Sequence, residues 1–197
     1  MKTVNFLVFN QFETLDLFGV VEIFGRLPQH YTLYYYSLEG GIVTSRQQVE
    51  MVTKPISELD KNDILIVPGG LGTRTLVADE TWIAMLKTCC QQAKQVLTIC
   101  TGAALVAKTG MLNGQSATSN KRAMDWVIST NEQVNWQRKA RWVVADKFYT
   151  SSGVSAGMDM ALGFIADQHG KEVAEKIAYE IEYVWNSSPD EDCFVEN

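Results

Sequence analysis

The amino-acid sequence predicts an α/β fold: a doubly wound, mostly parallel sheet with helices on both faces. Three observations carry that expectation. Short apolar, β-prone runs alternate with helix-like segments along the chain, the pattern of linked βα units. Several of those runs, at 4–9, 64–67 and 96–99, are apolar almost throughout, as strands covered on both faces are. A length of 197 residues, 46% apolar and 20% charged, is that of one globular domain over residues 1–197 with a sizeable core.

Residues 4–9 read as the first strand, broken only by Asn5. A helix follows over 15–26, with Leu15, Phe18 and Val21 at helical spacing and Pro28 to end it. Asp16 falls in its first turn, where an acid offsets the helix macrodipole. The aromatic-rich segment 31–38 reads as a second strand. Gly40 and Gly41 turn the chain, and 42–46 with 48–53 read as short strands or a hairpin. The strand 64–67 ends in Pro68-Gly69-Gly70-Leu71-Gly72. Residues 80–93 make a helix whose apolar stripe contains Trp82, Leu86, Cys89 and Cys90, which assigns both cysteines to the core. The strand 96–99 runs into Cys100, after which 102–108 leans helical and Gly110 is its stop. Next come a short strand at 115–119, a short helix at 121–129 and a strand pair at 138–144 and 148–152. A helix opens from 152–157, the chain turns at 167–170, and a last helix carries Val173, Ile177 and Ile181. The polar, acidic tail 186–197 is expected to be mobile.

Open α/β sheets place their sites outside the carboxyl ends of the strands. Three loops converge on that edge: Asp16 after the first strand, 69–72 after the strand at 64–67, and Cys100-Thr101 after the strand at 96–99. At a tight strand-to-helix turn, with Gly102 leaving room, the Cys100 side chain is lifted toward backbone N–H groups. The positive end of the helix there favours a thiolate. A cysteine is equally at home as a small buried side chain, and position alone leaves both readings open.

The formal net charge of −6 and the lack of a Lys/Arg cluster argue against a nucleic-acid partner. No apolar run approaches the ~18 residues of a membrane span, and the N-terminus shows no signal-peptide pattern. Cys89, Cys90, Cys100 and Cys193 lack zinc spacing, so no metal is expected and reduced thiols in a cytoplasmic protein are the simplest account. The glycine cluster has neither the spacing of a dinucleotide fingerprint nor the ending of a phosphate loop. It reads as a loop whose backbone approaches something closely.

Four motifs in order give a resemblance. Leu15-Asp16-Leu17-Phe18-Gly19, Val67-Pro68-Gly69-Gly70, Ile99-Cys100-Thr101-Gly102-Ala103 and Ser152-Gly153-Val154-Ser155-Ala156-Gly157 are similar to the DJ-1/PfpI family of class I glutamine-amidotransferase-like, flavodoxin-like proteins. The likeness is greatest to the isonitrile hydratase branch. That branch also resembles the front domain of some transcription regulators, whose DNA-binding half this chain is expected to lack. The resemblance implies a homodimer acting on a small-molecule substrate without a cofactor. It also implies Cys100 as nucleophile and Asp16 as the acid beside its sulfur, with Gly70, Leu71 and Thr101 forming the oxyanion and substrate-binding set. Gly70 and Thr101 would lend their N–H groups, and the Thr101 hydroxyl a further contact.

One departure matters. Many members carry a histidine beside the cysteine or twenty residues after it, where this chain has Thr101 and Asn120. The chain's two histidines, His30 and His169, are not expected to reach Cys100, which disfavours Cys–His protease or amidase chemistry. Isonitrile hydration needs a thiolate and one carboxyl group, whose pKa would rise toward neutrality if desolvated, in a small, largely apolar pocket. The alternatives are glyoxalase- or deglycase-type chemistry on small dicarbonyls, and a non-catalytic redox-sensing or binding protein. For the homodimer, exposed aromatics are expected at Tyr34, Tyr35 and Tyr36 and on the first helix.

Overall fold

The computed structural model describes residues 1–195. Its first half runs β1 (Lys2–Leu7), α1 (Thr14–Gly25), β2 (Tyr31–Ser37), β3 (Glu39–Thr44), β4 (Glu50–Pro55), β5 (Ile64–Val67), α2 (Thr73–Leu76) and α3 (Glu80–Gln92). The second half runs β6 (Gln95–Thr98), α4 (Gly102–Lys108), β7 (Ser116–Ala117), α5 (Met124–Thr130), β8 (Asn135–Trp136), β9 (Trp142–Ala145), β10 (Phe148–Ser151), α6 (Ala156–His169) and α7 (Lys171–Glu180).

Eight strands form one sheet in the order β3-β4-β2-β1-β5-β6-β10-β9. Only the edge strands β3 and β9 run antiparallel to their neighbours. The interior strands bury both faces: Ile64 to Val67 are all buried, as are Val4, Phe6 and Leu7. Near-continuous apolar runs are therefore what this sheet requires. Helices α1, α6 and α7 pack together, and α2 to α5 form a second group, which gives the two helical layers. The strand order reverses at β1, with β2 on one side and β5 on the other. Such a reversal opens a crevice at the strands' carboxyl ends, and both Asp16 and the glycine loop lie there.

Several boundaries differ from expectation. β1 covers Lys2–Leu7 rather than 4–9, and the expected hairpin is the antiparallel pair β3–β4, shifted by a few residues. The strand expected at 115–119 shrinks to β7, which pairs with the two-residue β8 in a separate ribbon. The helix expected at 121–129 splits into a 3-10 turn at 121–123 and α5, because the Asn120 carboxamide caps the turn by accepting the Ala123 N–H at 3.1 Å. Tyr36 is buried and Tyr34 and Tyr35 are half-buried, since β2 is an interior strand and Tyr35 stacks on Phe6 at 5.3 Å. On α1, Phe18 is exposed as expected, and Leu15 is exposed beside it.

The tail is tied down rather than loose. Arg141 N–H donates to Pro189 O at 2.7 Å, and Asp192 N–H to Lys139 O at 2.8 Å. The Asp192 carboxylate is buried 3.3 Å from the Arg141 guanidinium. The last two positions of the expected 186–197 tail lie outside the described residues.

Candidate active site

The site begins with a strained backbone. β6 ends at Thr98, and Cys100 follows with φ of 55°, the left-handed region that costs a non-glycine residue roughly 1–2 kcal/mol. That sharp bend turns the chain from the sheet into α4. It is held from both sides: Cys100 N–H donates to Ser152 O at 3.1 Å, and Ser119 Oγ donates to Cys100 O at 2.6 Å. Gly102 is obligatory in the turn, because a Cβ there would sit 2.4 Å from Val67 O. Gly69 serves the approach of the neighbouring loop, where a Cβ would sit 2.6 Å from Thr101 N and 2.8 Å from Cys100 Cβ.

Asp16 turns inward from the first turn of α1 instead of capping it, and is fully buried. Its Oδ2 accepts the Gly69 N–H at 2.9 Å across the crevice between β1 and β5, while Oδ1 completes no hydrogen bond. Burial pushes its carboxyl up to about 7, aided by the Glu13 charge. The Gly69 N–H, the Cys100 thiol and the Val154 N–H oppose this. Val154 reaches Asp16 from a second strained position, with φ of 47° in a β-branched residue.

The Cys100 thiol is buried too, and it is not the pre-formed thiolate expected from the helix end. Burial and the Asp16 charge push its pKa up. The Thr101 N–H, the Asn120 amide and the Thr101 hydroxyl act in the expected direction but are outweighed. Two adjacent groups that both resist ionisation share a proton over a wide pH range and titrate as a pair. Above about pH 7 the Asp16–Cys100 pair retains one proton, held by the thiol with the Asp16 carboxylate beside it to accept it.

The glycine loop differs from expectation in one donor. Gly70 N–H, expected to face a bound anion, is donated to Thr101 Oγ1 at 3.1 Å. The Thr101 hydroxyl also accepts from Thr73 Oγ1 at 3.0 Å, so it fastens the loop to the elbow while also contacting the Cys100 sulfur as expected. The N–H groups of Leu71 and Thr101 have no backbone acceptor among the described residues. Thr101 N–H faces the sulfur, and Leu71 lines the cleft next to it.

A cleft of about 410 Å³ opens above Cys100, walled by Gly70, Leu71, Thr101, Asn120 and Val154. It is not the largely apolar pocket expected, because Glu13, Arg46, Arg74 and Arg122 also line it. Those four come from three separate loops and a short helix, and no local motif marks them. Asn120 packs against Gly153 and places its amide by the sulfur. The histidines are elsewhere: His30 and His169 lie 4.5 Å apart, and His169 bonds the Tyr31 hydroxyl at 2.7 Å, at the start of β2. That is the opposite edge of the sheet. Among the described residues no His/Cys/Asp/Glu group could hold a metal ion, and no helix is long and apolar enough to cross a membrane.

Comparison with known proteins agrees with this architecture. The isonitrile hydratase of Pseudomonas putida is 27% identical over 91% of this chain and 78% of its own. The HTH-type transcriptional regulator GbdR of Pseudomonas aeruginosa is 26% identical over 90% of this chain but only 49% of its own. A ThiJ/PfpI family protein from Pseudomonas syringae superposes with a TM-score of 0.84 at 26% identity, covering 92% of this chain and 75% of that one. The DJ-1/PfpI family model matches residues 2–167. With that match over most of its length, and with the cysteine elbow and buried acid just described, the chain belongs to the DJ-1/PfpI family.

Proposed function

We propose that the protein hydrates isonitriles to N-substituted formamides, with Cys100 as nucleophile and Asp16 as proton carrier. The observation that carries this reading is the Asp16–Cys100 pair itself. A buried carboxyl that titrates near neutrality stands against the thiol, and no imidazole is within reach. The likeness to the Pseudomonas putida isonitrile hydratase over most of both chains supports it.

The chemistry follows from one mobile proton. Asp16 accepts the Cys100 proton as the sulfur attacks the terminal isonitrile carbon, then returns it to that carbon to give a thioimidate. A water molecule adds its oxygen to the same carbon while one of its protons passes to nitrogen. The resulting hydroxyl loses its proton to Asp16, the C–S bond breaks, and the formamide departs as Cys100 is reprotonated. General acid–base catalysis of this kind contributes typically ~10²–10⁴-fold. Leu71 and Thr101 N–H groups stabilise the oxygen as the tetrahedral carbon collapses. The assembly we propose is a homodimer, with exposed Leu15 and Phe18 of α1 at the interface.

The test is incubation with cyclohexyl isocyanide and, separately, with methylglyoxal, followed by product detection. Formamide from the first supports hydration. Lactate from the second assigns the site to dicarbonyl chemistry, and no product from either assigns it to thiol sensing or ligand binding.

A further inference from the structure

We infer that the cleft above Cys100 takes substrates bearing a carboxylate, which Arg74 holds. The inference rests on the reading of Cys100 as the nucleophile. It starts from charge placement. Three of the chain's six arginines line this one cleft, in a protein whose net charge is −6. The other three are consumed in pairs: Arg26 with Glu22, Arg138 with Asp125, and Arg141 with Asp159 and Asp192. Within the cleft, Arg46 lies 3.8 Å from Glu13.

Arg74 differs from all of these. Its guanidinium stacks over the Trp126 ring at 3.5 Å from the centroid, which bridges α2 and α5 at the cleft wall that Arg74 forms. Stacking occupies the face of the guanidinium and leaves its edge, with five N–H donors, for a planar anion. Among the described residues those donors bond to no carboxylate, carbonyl or hydroxyl. An aromatic face has thus fixed a guanidinium beside a nucleophile without using its hydrogen bonds. Carboxylates are recognised by such preorganised, charge-assisted forks.

An arginine near a cysteine can also act by favouring the thiolate, and the experiment separates the two roles. Alkylation of Cys100 is followed by mass spectrometry in a Cys193→Ser background, with iodoacetate and with iodoacetamide. In both cases the sulfur bonds the methylene carbon, iodide leaves, and the thiol proton passes through Asp16 to solvent. Only the charge of the reagent differs.

The expected result is that iodoacetate modifies Cys100 at least as fast as iodoacetamide. Arg74→Gln should then slow iodoacetate by about 10-fold or more while leaving iodoacetamide within about 2-fold. Arg74→Lys should fall between. Equal slowing of both reagents by Arg74→Gln would overturn the inference, since the arginine would then act on the thiol. So would unchanged rates with both, or failure of both reagents to reach Cys100.

Hydration of isocyanoacetate and of its methyl ester gives the second arm. Preference for the acid, lost in Arg74→Gln, supports the carboxylate site. Preference for the ester counts against it. If neither isocyanide is hydrated, the isonitrile reading falls while the alkylation ratio still decides the carboxylate site.

Discussion

Two aspartates in this molecule begin from the same position and end in opposite chemical states. Asp16 and Asp159 each lie in the first turn of a long helix, each is fully buried, and their helices α1 and α6 pack together. Asp159 is fully partnered. Its Oδ2 receives Arg141 Nε at 2.6 Å, and its Oδ1 receives the Tyr183 hydroxyl at 3.1 Å and Asn186 N–H at 3.0 Å. Asp16 has one full hydrogen bond, from Gly69, and an oxygen left open. Burial pushes both carboxyls up, but a guanidinium opposes it only at Asp159. A buried acid that is fully bonded and charge-paired is a clasp. One that is left short of donors beside a thiol is a reagent.

The largest expected effect breaks the comparison on the reactive side. Cys100→Ala should abolish hydration, measured as formamide release, because no other group can hold the covalent intermediate. Asp16→Asn should lower kcat by roughly 10²-fold or more, since an amide cannot exchange the proton.

The same variant should gain stability with a definite pH dependence. The folded pKa of Asp16, about 7, exceeds its unfolded value, so the folded state binds the extra proton between the two. Wild-type stability therefore falls as pH rises through that window. The cost is fully present above pH 7, on the order of 4 kcal/mol at most. Urea unfolding should find Asp16→Asn more stable than wild type at pH 8 and close to it at pH 4. Asp159→Asn should instead destabilise the fold. It leaves Arg141 short of a counter-charge and should cost roughly 3 kcal/mol, with kcat nearly unchanged.

Smaller effects sharpen the picture. Asn120→Ala removes an amide that favours the thiolate and should lower kcat/KM by about 10-fold at most. His30→Ala and His169→Ala should leave turnover unchanged. A histidine variant that stays folded and loses activity would mean that an imidazole takes part in the reaction.

How much of this was legible in the sequence depends on how local each signal is. The buried strands were readable because a strand covered on both faces must be apolar throughout, as at Ile64–Val67. The placement of Asp16 and Cys100 followed from the strand ends they succeed. Edge elements were not readable: β8 is two residues, and α2 is a single turn held by Gly70 and Gly72 carbonyls. The cleft lining was also hidden, because Arg46, Arg74 and Arg122 meet only through the topology. The expectation for the thiol failed for a physical reason. The helix end favours a thiolate, but burial and the neighbouring carboxylate, neither of which is local in sequence, oppose it and prevail. The tail's anchoring is hidden in the sequence because its acidic residues read as solvated, while Arg141, distant in sequence, pairs with Asp192.

The central claim is that Asp16 and Cys100 act as one pair that must hold a single proton to react. The pH dependence of kcat/KM for cyclohexyl isocyanide tests it most directly. Wild type should rise through an inflection near pH 7, as the pair goes from two protons to one, and then stay level. Asp16→Asn should lack that inflection at its lower rate. A wild-type profile that is flat from pH 5 to 9, or an inflection that survives in Asp16→Asn, would contradict the account.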